Sequence, residues 1–169
     1  MRRVLAVLGS VVFLLIAPGI VAGLAPWWIA ERGYRYTIPW PLQGIGAMLI
    51  AAGTWVLVDS FARFALRGLG TPAPVFPTRH LVAAGFYQFV RNPMYIAVLA
   101  VILGQSFWLG SARVLAYAGL VWLAFHVFVV AYEEPTLRRT YGAQYEDFCS
   151  NVPRWIPRLR PWEPDRRTE

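Results

Sequence analysis

Four uncharged, largely apolar stretches divide this chain, at residues 4–24, 36–58, 94–112 and 114–132. Each comes close to or exceeds the roughly 20 residues that carry a helix across a bilayer core. The first follows Arg2 and Arg3, contains Pro18-Gly19, where a kink or break is expected, and leads into Pro26-Trp27-Trp28, which reads as an interfacial aromatic belt. A signal peptide is the competing reading of this stretch, but no small-residue cleavage site follows it cleanly. The second carries Gly44, Gly46 and Gly53, which let another helix approach closely. The third and fourth form a helical hairpin with Gly110-Ser111 near its turn. The expected fold class is an all-α integral membrane protein of about four transmembrane helices, five if the first is split. A C-terminal cytoplasmic amphipathic helix follows, read from Leu137, Tyr141 and Tyr145 at i, i+4 and i+8. Residues 1–67 hold the N-terminal spans and residues 68–169 the hairpin with its polar flanks, within one compact bundle.

The polar positions gather at the ends of these runs. Asp59, Arg63 and Arg67 recur every four residues, and Asp59 can pair with Arg63. Residues 68–77, GLGTPAPVFP, cannot hold a regular helix and predict an extended, ordered strap. Next comes LVAAGFYQFVRNPMY at residues 81–95. Gly85 offers backbone without a Cβ, Tyr87 and Tyr95 offer aromatic faces with hydroxyls, and Arg91-Asn92 precede Pro93, a residue suited to a first helical turn. This is a polar collar at the mouth of a membrane helix; its plainer reading is a cytoplasmic loop with a snorkelling arginine and interface tyrosines.

Glu133 and Glu134 close the fourth run and repel each other unless a cation shares the site, for which Arg91, Arg138 or a bound cation would serve. Helical neighbours point about 100° apart. Glu133 is therefore expected to share an inward face with His126 and Val130, and Glu134 to turn toward Arg138. His126 is an intramembrane functional candidate, or a neutral imidazole bonded to a neighbouring helix. Residues 151–162, NVPRWIPRLRPW, suit an extended tail lying in the headgroups.

Composition sharpens the class. Of the residues, 57% are hydrophobic and only 15% charged, well below the charge of a soluble domain. The net charge of +7 comes from arginine alone. Because those arginines border apolar runs, anionic lipid headgroups rather than nucleic acid are the expected counter-charge. With four spans and a cytoplasmic N-terminus, only Arg32, Arg35 and Arg113 fall outside, which satisfies the positive-inside rule. The lone Cys149 allows no intrachain disulfide. No phosphate-binding glycine loop, dinucleotide fingerprint or metal-ligand spacing is present.

The motifs GFYQFVRNPMY, then EEPTLRRTYGAQYEDF, then VPRWIP resemble the isoprenylcysteine carboxyl methyltransferase family and the wider group of small membrane methyltransferases, phospholipid methyltransferases included. The resemblance covers residues 79–157. It implies a methyltransferase-like C-terminal half with a cytoplasm-facing pocket for S-adenosylmethionine, released as S-adenosylhomocysteine. Carried over by position, the cofactor contacts are His80, Leu81, Val82, Tyr87, Asn92, Pro93, Met94, Tyr95 and Glu133. The catalytic candidates are Arg91 and Glu133, with no metal. The implied acceptor is amphipathic or lipid-like, met among membrane lipids. Asn92 stands where the family usually has His, and Val129 stands where prenylcysteine enzymes place a carboxylate-gripping Arg. A phospholipid N-methyltransferase, an NADPH-dependent membrane reductase with a similar Arg-x-Pro-x-Tyr stretch, and a non-enzymatic membrane protein are the alternatives.

Overall fold

The computed structural model describes residues 16–66 and 84–163, and every regular element among them is helical. The elements are α1 (Ile16–Glu31), α2 (Trp40–Leu66), a 3-10 turn (Gly85–Gln88), α3 (Pro93–Leu109), α4 (Ala112–Tyr141) and α5 (Ala143–Asn151). Two of these helices are long and apolar enough to cross a membrane, Trp40–Arg63 and Ala112–Tyr141; Ile16–Glu31 and Pro93–Leu109 are shorter apolar helices. The strap at 68–77, with His80, Leu81 and Val82, lies outside the described residues.

α2 packs along α3, α3 on α4, and α1 against both helices of the hairpin. The α2–α3 contact is set by small residues on matching turns. A Cβ on Gly46 would lie 2.7 Å from the Gly104 carbonyl oxygen, and one on Gly53 would lie 2.7 Å from that of Ala97. The two pairs sit seven residues apart on each antiparallel helix, so the backbones touch along one seam, as membrane helices do where no apolar driving force separates protein from lipid. Gly44, named with them from the sequence, has nothing within 4 Å. The core between the helices holds Ala97, Ile102, Val114 and Ala118. Large apolar side chains such as Met48, Trp55 and Leu120 face outward.

Two π-helical turns interrupt otherwise regular helices, and prolines account for both. Ile20–Leu24 precedes Pro26 and Val129–Glu133 precedes Pro135, in each case with one residue between. A proline has no N–H for the carbonyl four residues back and its ring crowds that carbonyl, so a widened turn relieves both problems. In α1 the freed carbonyls find side chains on the hairpin. Tyr117 donates its hydroxyl to the Val21 carbonyl at 3.0 Å, and Gln105 donates its amide to the Ala22 carbonyl. Such repair is what a bilayer demands of a broken helix. The break expected at Pro18-Gly19 does not occur: Gly19 is α-helical and the irregularity lies at the next residues.

The expected single amphipathic helix after α4 is also corrected. Gly142, at φ 53° and ψ −127°, ends α4 and starts α5, a backbone state open to glycine. Tyr145, Phe148 and Val152 nonetheless form a small second core, with Leu137, Tyr141 and Trp162 packed on it.

The opposite end is closed by the α1–α2 loop. Tyr36 donates its backbone N–H to Gly110 at 2.8 Å, Arg113 donates to the Arg32 carbonyl, and the Arg32 guanidinium lies 3.7 Å over the Trp28 ring.

The seam yields a signed prediction. A Cβ on Gly104 would meet the Gly46 carbonyl oxygen at 2.5 Å and Ile50 on the next turn. Gly104→Ala should therefore cost about 1–3 kcal/mol by overpacking. Gly44→Ala, in open space, should be neutral or stabilising by up to about 1 kcal/mol. Thermal unfolding in detergent distinguishes the two, and equal effects would refute the seam.

Candidate functional site

The collar is positioned from below by α2. Asp59 accepts two hydrogen bonds from Arg63, at 2.6 and 3.0 Å, and the Arg63 side chain passes directly under Gly85. A Cβ there would lie 2.6 Å from the Arg63 Nε, and Gly85 has φ 62°, so glycine is needed on both counts. The turn Gly85–Gln88 then brings Tyr87 to the site. Burial and the negative charge of Glu133 push the Tyr87 phenol above its ordinary range, which keeps it a hydrogen-bond donor.

The tail, expected to lie extended in the headgroups, is docked on the collar. Arg91 donates its backbone N–H to Pro153 at 2.9 Å, Arg158 donates to Phe89 at 2.9 Å, and Trp162 donates to Gln88 at 3.0 Å. Asn92 is buried and spends its amide N–H on the Arg154 carbonyl at 3.1 Å. Pro93 is buried as the first residue of α3, and Met94 packs against the main core.

The glutamate pair is resolved into two environments by the π turn. Glu134 has a side chain only 3% exposed. Arg154 grips it with two bonds, 2.6 Å from Nε and 3.0 Å from Nη2, Arg91 Nη1 reaches it at 3.1 Å, and Arg138 lies 3.8 Å away. The bond to Glu134 in turn holds the Arg154 guanidinium above its ordinary pKa. Glu134 turns toward Arg138 as expected, and Arg138 is the most distant of its three arginine partners. Arg91 Nη1 also lies 2.8 Å from Cys149 Sγ. In Arg91, a catalytic candidate from the sequence, Nη1 is thus engaged by Glu134 and Cys149, while Nε is buried without a partner among the described residues. Arg154 was not singled out; the clue was a lone cation in the VPRWIP tail with two carboxylates upstream that needed neutralising.

Glu133 is half-buried, and Tyr95 donates its hydroxyl to it at 2.9 Å. Among the described residues it forms no ion pair with an arginine. Phe125 packs on Tyr95 with ring centroids 4.7 Å apart. The result is a cluster of one carboxylate, two phenols and an aromatic face. Val130, expected to point inward with Glu133, is 42% exposed, whereas Val129 is 1% exposed. The widened turn shifts the inward register by a residue. His126 meets the tail: Trp155 donates its indole N–H to His126 Nδ1 at 3.2 Å.

A helical, membrane-type bundle with a cluster of carboxylates and aromatic side chains at one end is the class that this fold and site define. The chain belongs to the phospholipid methyltransferase family, whose model matches residues 42–144. It is 33% identical over 78 residues to protein-S-isoprenylcysteine O-methyltransferase B of Arabidopsis thaliana, covering 46% of this chain and 39% of that one. It is 32% identical over 65 residues to an uncharacterized protein of Haemophilus influenzae, covering 37% of this chain and all of the other. The match thus spans about two fifths of the plant relative's length.

Glu134→Gln would leave Arg91 and Arg154 without their anion. Loss of one member of such a cluster should cost roughly 3 kcal/mol, the lower end for a buried pair because Arg154 reaches solvent. Arg138→Ala should leave stability close to that of the parent. Thermal melts in detergent give the order; a milder effect for Glu134→Gln would contradict it.

Proposed function

We propose that this chain is an S-adenosylmethionine-dependent membrane methyltransferase acting on an amphipathic, lipid-like acceptor from the cytoplasmic side. The observation that carries the reading is the contrast between the two carboxylates. Glu134 is surrounded by three arginines, while Glu133, next to it, has a tyrosine hydroxyl and no arginine. A half-buried carboxylate bounded by Tyr87, Tyr95 and Phe125 suits a ligand that brings positive charge and an aromatic ring system. S-adenosylmethionine brings an ammonium, a sulfonium and an adenine, so the residues present fit it.

When bound, this cosubstrate supplies an electrophilic methyl group, which a lone pair on the acceptor takes in a direct displacement. The chain's own part is to bind, align and exclude water. Glu133 holds the cationic group, Tyr95 fixes the Glu133 carboxylate by its 2.9 Å bond, and Tyr87 closes the collar side. Asn92 and Pro93 set the start of α3 and hence the position of Tyr95. Arg91 is a positioning residue through Glu134. In this reading His80, Leu81 and Val82 complete the cofactor's cradle.

The acceptor is better read as an amine than as a carboxylate. Arg91, Arg138 and Arg154 all converge on Glu134, and Val129 is buried where a gripping arginine would be required. A phospholipid amine fits Glu133 with its aromatic neighbours, and the family.

The orientation rests on arginine placement. Arg63, Arg91, Arg138 and Arg154 lie at the collar end, and Arg32 and Arg113 at the other. The positive-inside rule supports a site that faces the cytoplasm. In a Cys149→Ala background, cysteines at Arg113 and Glu163 should label from opposite sides of sealed vesicles; labelling from one side overturns the orientation.

Glu133→Gln should weaken S-adenosylmethionine binding roughly tenfold, one charge-assisted hydrogen bond. Tyr95→Phe should weaken it less. Isothermal titration on the detergent-solubilised protein measures both, with NADPH as the comparison ligand. Binding of NADPH in place of S-adenosylmethionine would reject the methyltransferase reading.

A further inference from the structure

His126 is half-buried on α4, in a stretch whose neighbours Trp122, Leu123 and Val127 are exposed. Its ring is fixed on two sides. Trp122, one turn earlier, stacks at 5.5 Å and 25°, and Trp155 from the tail lies at 6.1 Å and donates to Nδ1. An indole N–H can only donate, so Nδ1 must present its lone pair. The neutral ring then carries its proton on Nε2. Among the described residues nothing accepts from Nε2, and the atom is not sealed in the interior. A fixed N–H donor on an apolar surface lacks a hydrogen bond unless the bilayer supplies the acceptor.

Depth and continuity narrow what that acceptor is. Glu133 lies seven residues further along α4, roughly 10 Å at helical rise. The headgroup zone is roughly 5–8 Å deep on each side of the bilayer. With Glu133 at the outer edge of the headgroups, His126 falls a few ångströms below that zone, next to where the acyl chains join the lipid backbone. The neighbouring Phe125 packs on Tyr95, which donates to Glu133, so His126 stands beside the wall those residues form, about 100° around α4 from Phe125.

We propose that His126 donates its Nε2–H to an ester carbonyl of a diacyl glycerolipid, holding the lipid backbone while its headgroup is presented at Glu133. The headgroup part rests on the methyltransferase reading; the carbonyl contact stands on the geometry of the Trp122–His126–Trp155 stack. His126 is thereby a specificity residue for ester-linked lipids, and Trp155 is the positioning residue that sets its tautomer.

With only two histidines in the chain, ring 15N spectra of the full-length protein in dodecyl maltoside test this directly. The His126 signals are those lost in His126→Gln. The expected state is the Nε2-protonated tautomer, turning into a mixture in Trp155→Phe. Diacyl phosphatidylethanolamine should shift the Nε2 signal, and its dialkyl ether analogue, which lacks carbonyls, should not. In methyl transfer to the diacyl lipid, His126→Leu should raise KM roughly three- to tenfold, the scale of one hydrogen bond, without changing S-adenosylhomocysteine affinity. His126→Gln, whose amide is a donor of similar reach, should recover most of the loss. An Nδ1-protonated ring, equal responses to the two lipids, or failure of Gln to outperform Leu would overturn the proposal. A diacyl-specific shift without S-adenosylhomocysteine binding would uphold the lipid contact and reject the methyltransferase reading. S-adenosylhomocysteine binding without a diacyl-specific shift would reject the His126 contact alone.

Discussion

A buried carboxylate with three arginines around it organises this end of the molecule. Glu134 lies at the point where α4, the collar and the tail come together, and each element sends a cation to it or presents the anion. Burying that charge costs several kcal/mol unless the pairing is complete, so the collar and tail are coupled to α4 and to each other. The backbone bonds from Arg91, Arg158 and Trp162 then fix the tail along the collar. The cluster also consumes these cations. Glu133 is thus left with a tyrosine hydroxyl and no arginine among the described residues, despite a net charge of +7.

Proline placement is the second constraint, and it acts through the backbone. Pro26 and Pro135 each remove one helical donor, and each is preceded by a widened turn. In α1 the exposed carbonyls become sockets for Gln105 and Tyr117, which fasten α1 to the hairpin. In α4 the widened turn separates the two glutamates into different surroundings. One local rule thus serves packing in one helix and chemistry in the other.

The helical character and the convergence of polar groups were legible in the sequence because both follow from local pattern. Gly46 and Gly53 as a close-contact face, Asp59 with Arg63, and the need of the glutamate pair for a cation were read from spacing and charge alone. Three features were misread for a common reason. The α1 irregularity was assigned to Pro18, the inward face of α4 to Val130, and the amphipathic stripe to one helix. Each rested on uniform α-helical geometry, which Pro26, Pro135 and Gly142 interrupt. The tail's docking and the roles of Arg154 and Trp155 depend on partners distant in sequence, Phe89, Glu134 and His126, and no periodicity encodes such pairs. Asn92 is named as a cofactor contact by the motif; that its amide also donates to a tail carbonyl depends on a partner sixty-two residues on, which the motif does not encode.

The order of the partners along the chain has a consequence for biogenesis. Glu134 is synthesised well after Arg91 but twenty residues before Arg154, its closest partner. α4 must therefore reach the membrane with its anion only partly neutralised, and the last ion pair closes when the tail has emerged and folded back. Until then Pro153 and Arg158 have not engaged Arg91 and Phe89, and the collar lacks its rim. Completion of the cluster thus waits on the last-made segment, which reaches Glu134 only by folding back over the collar.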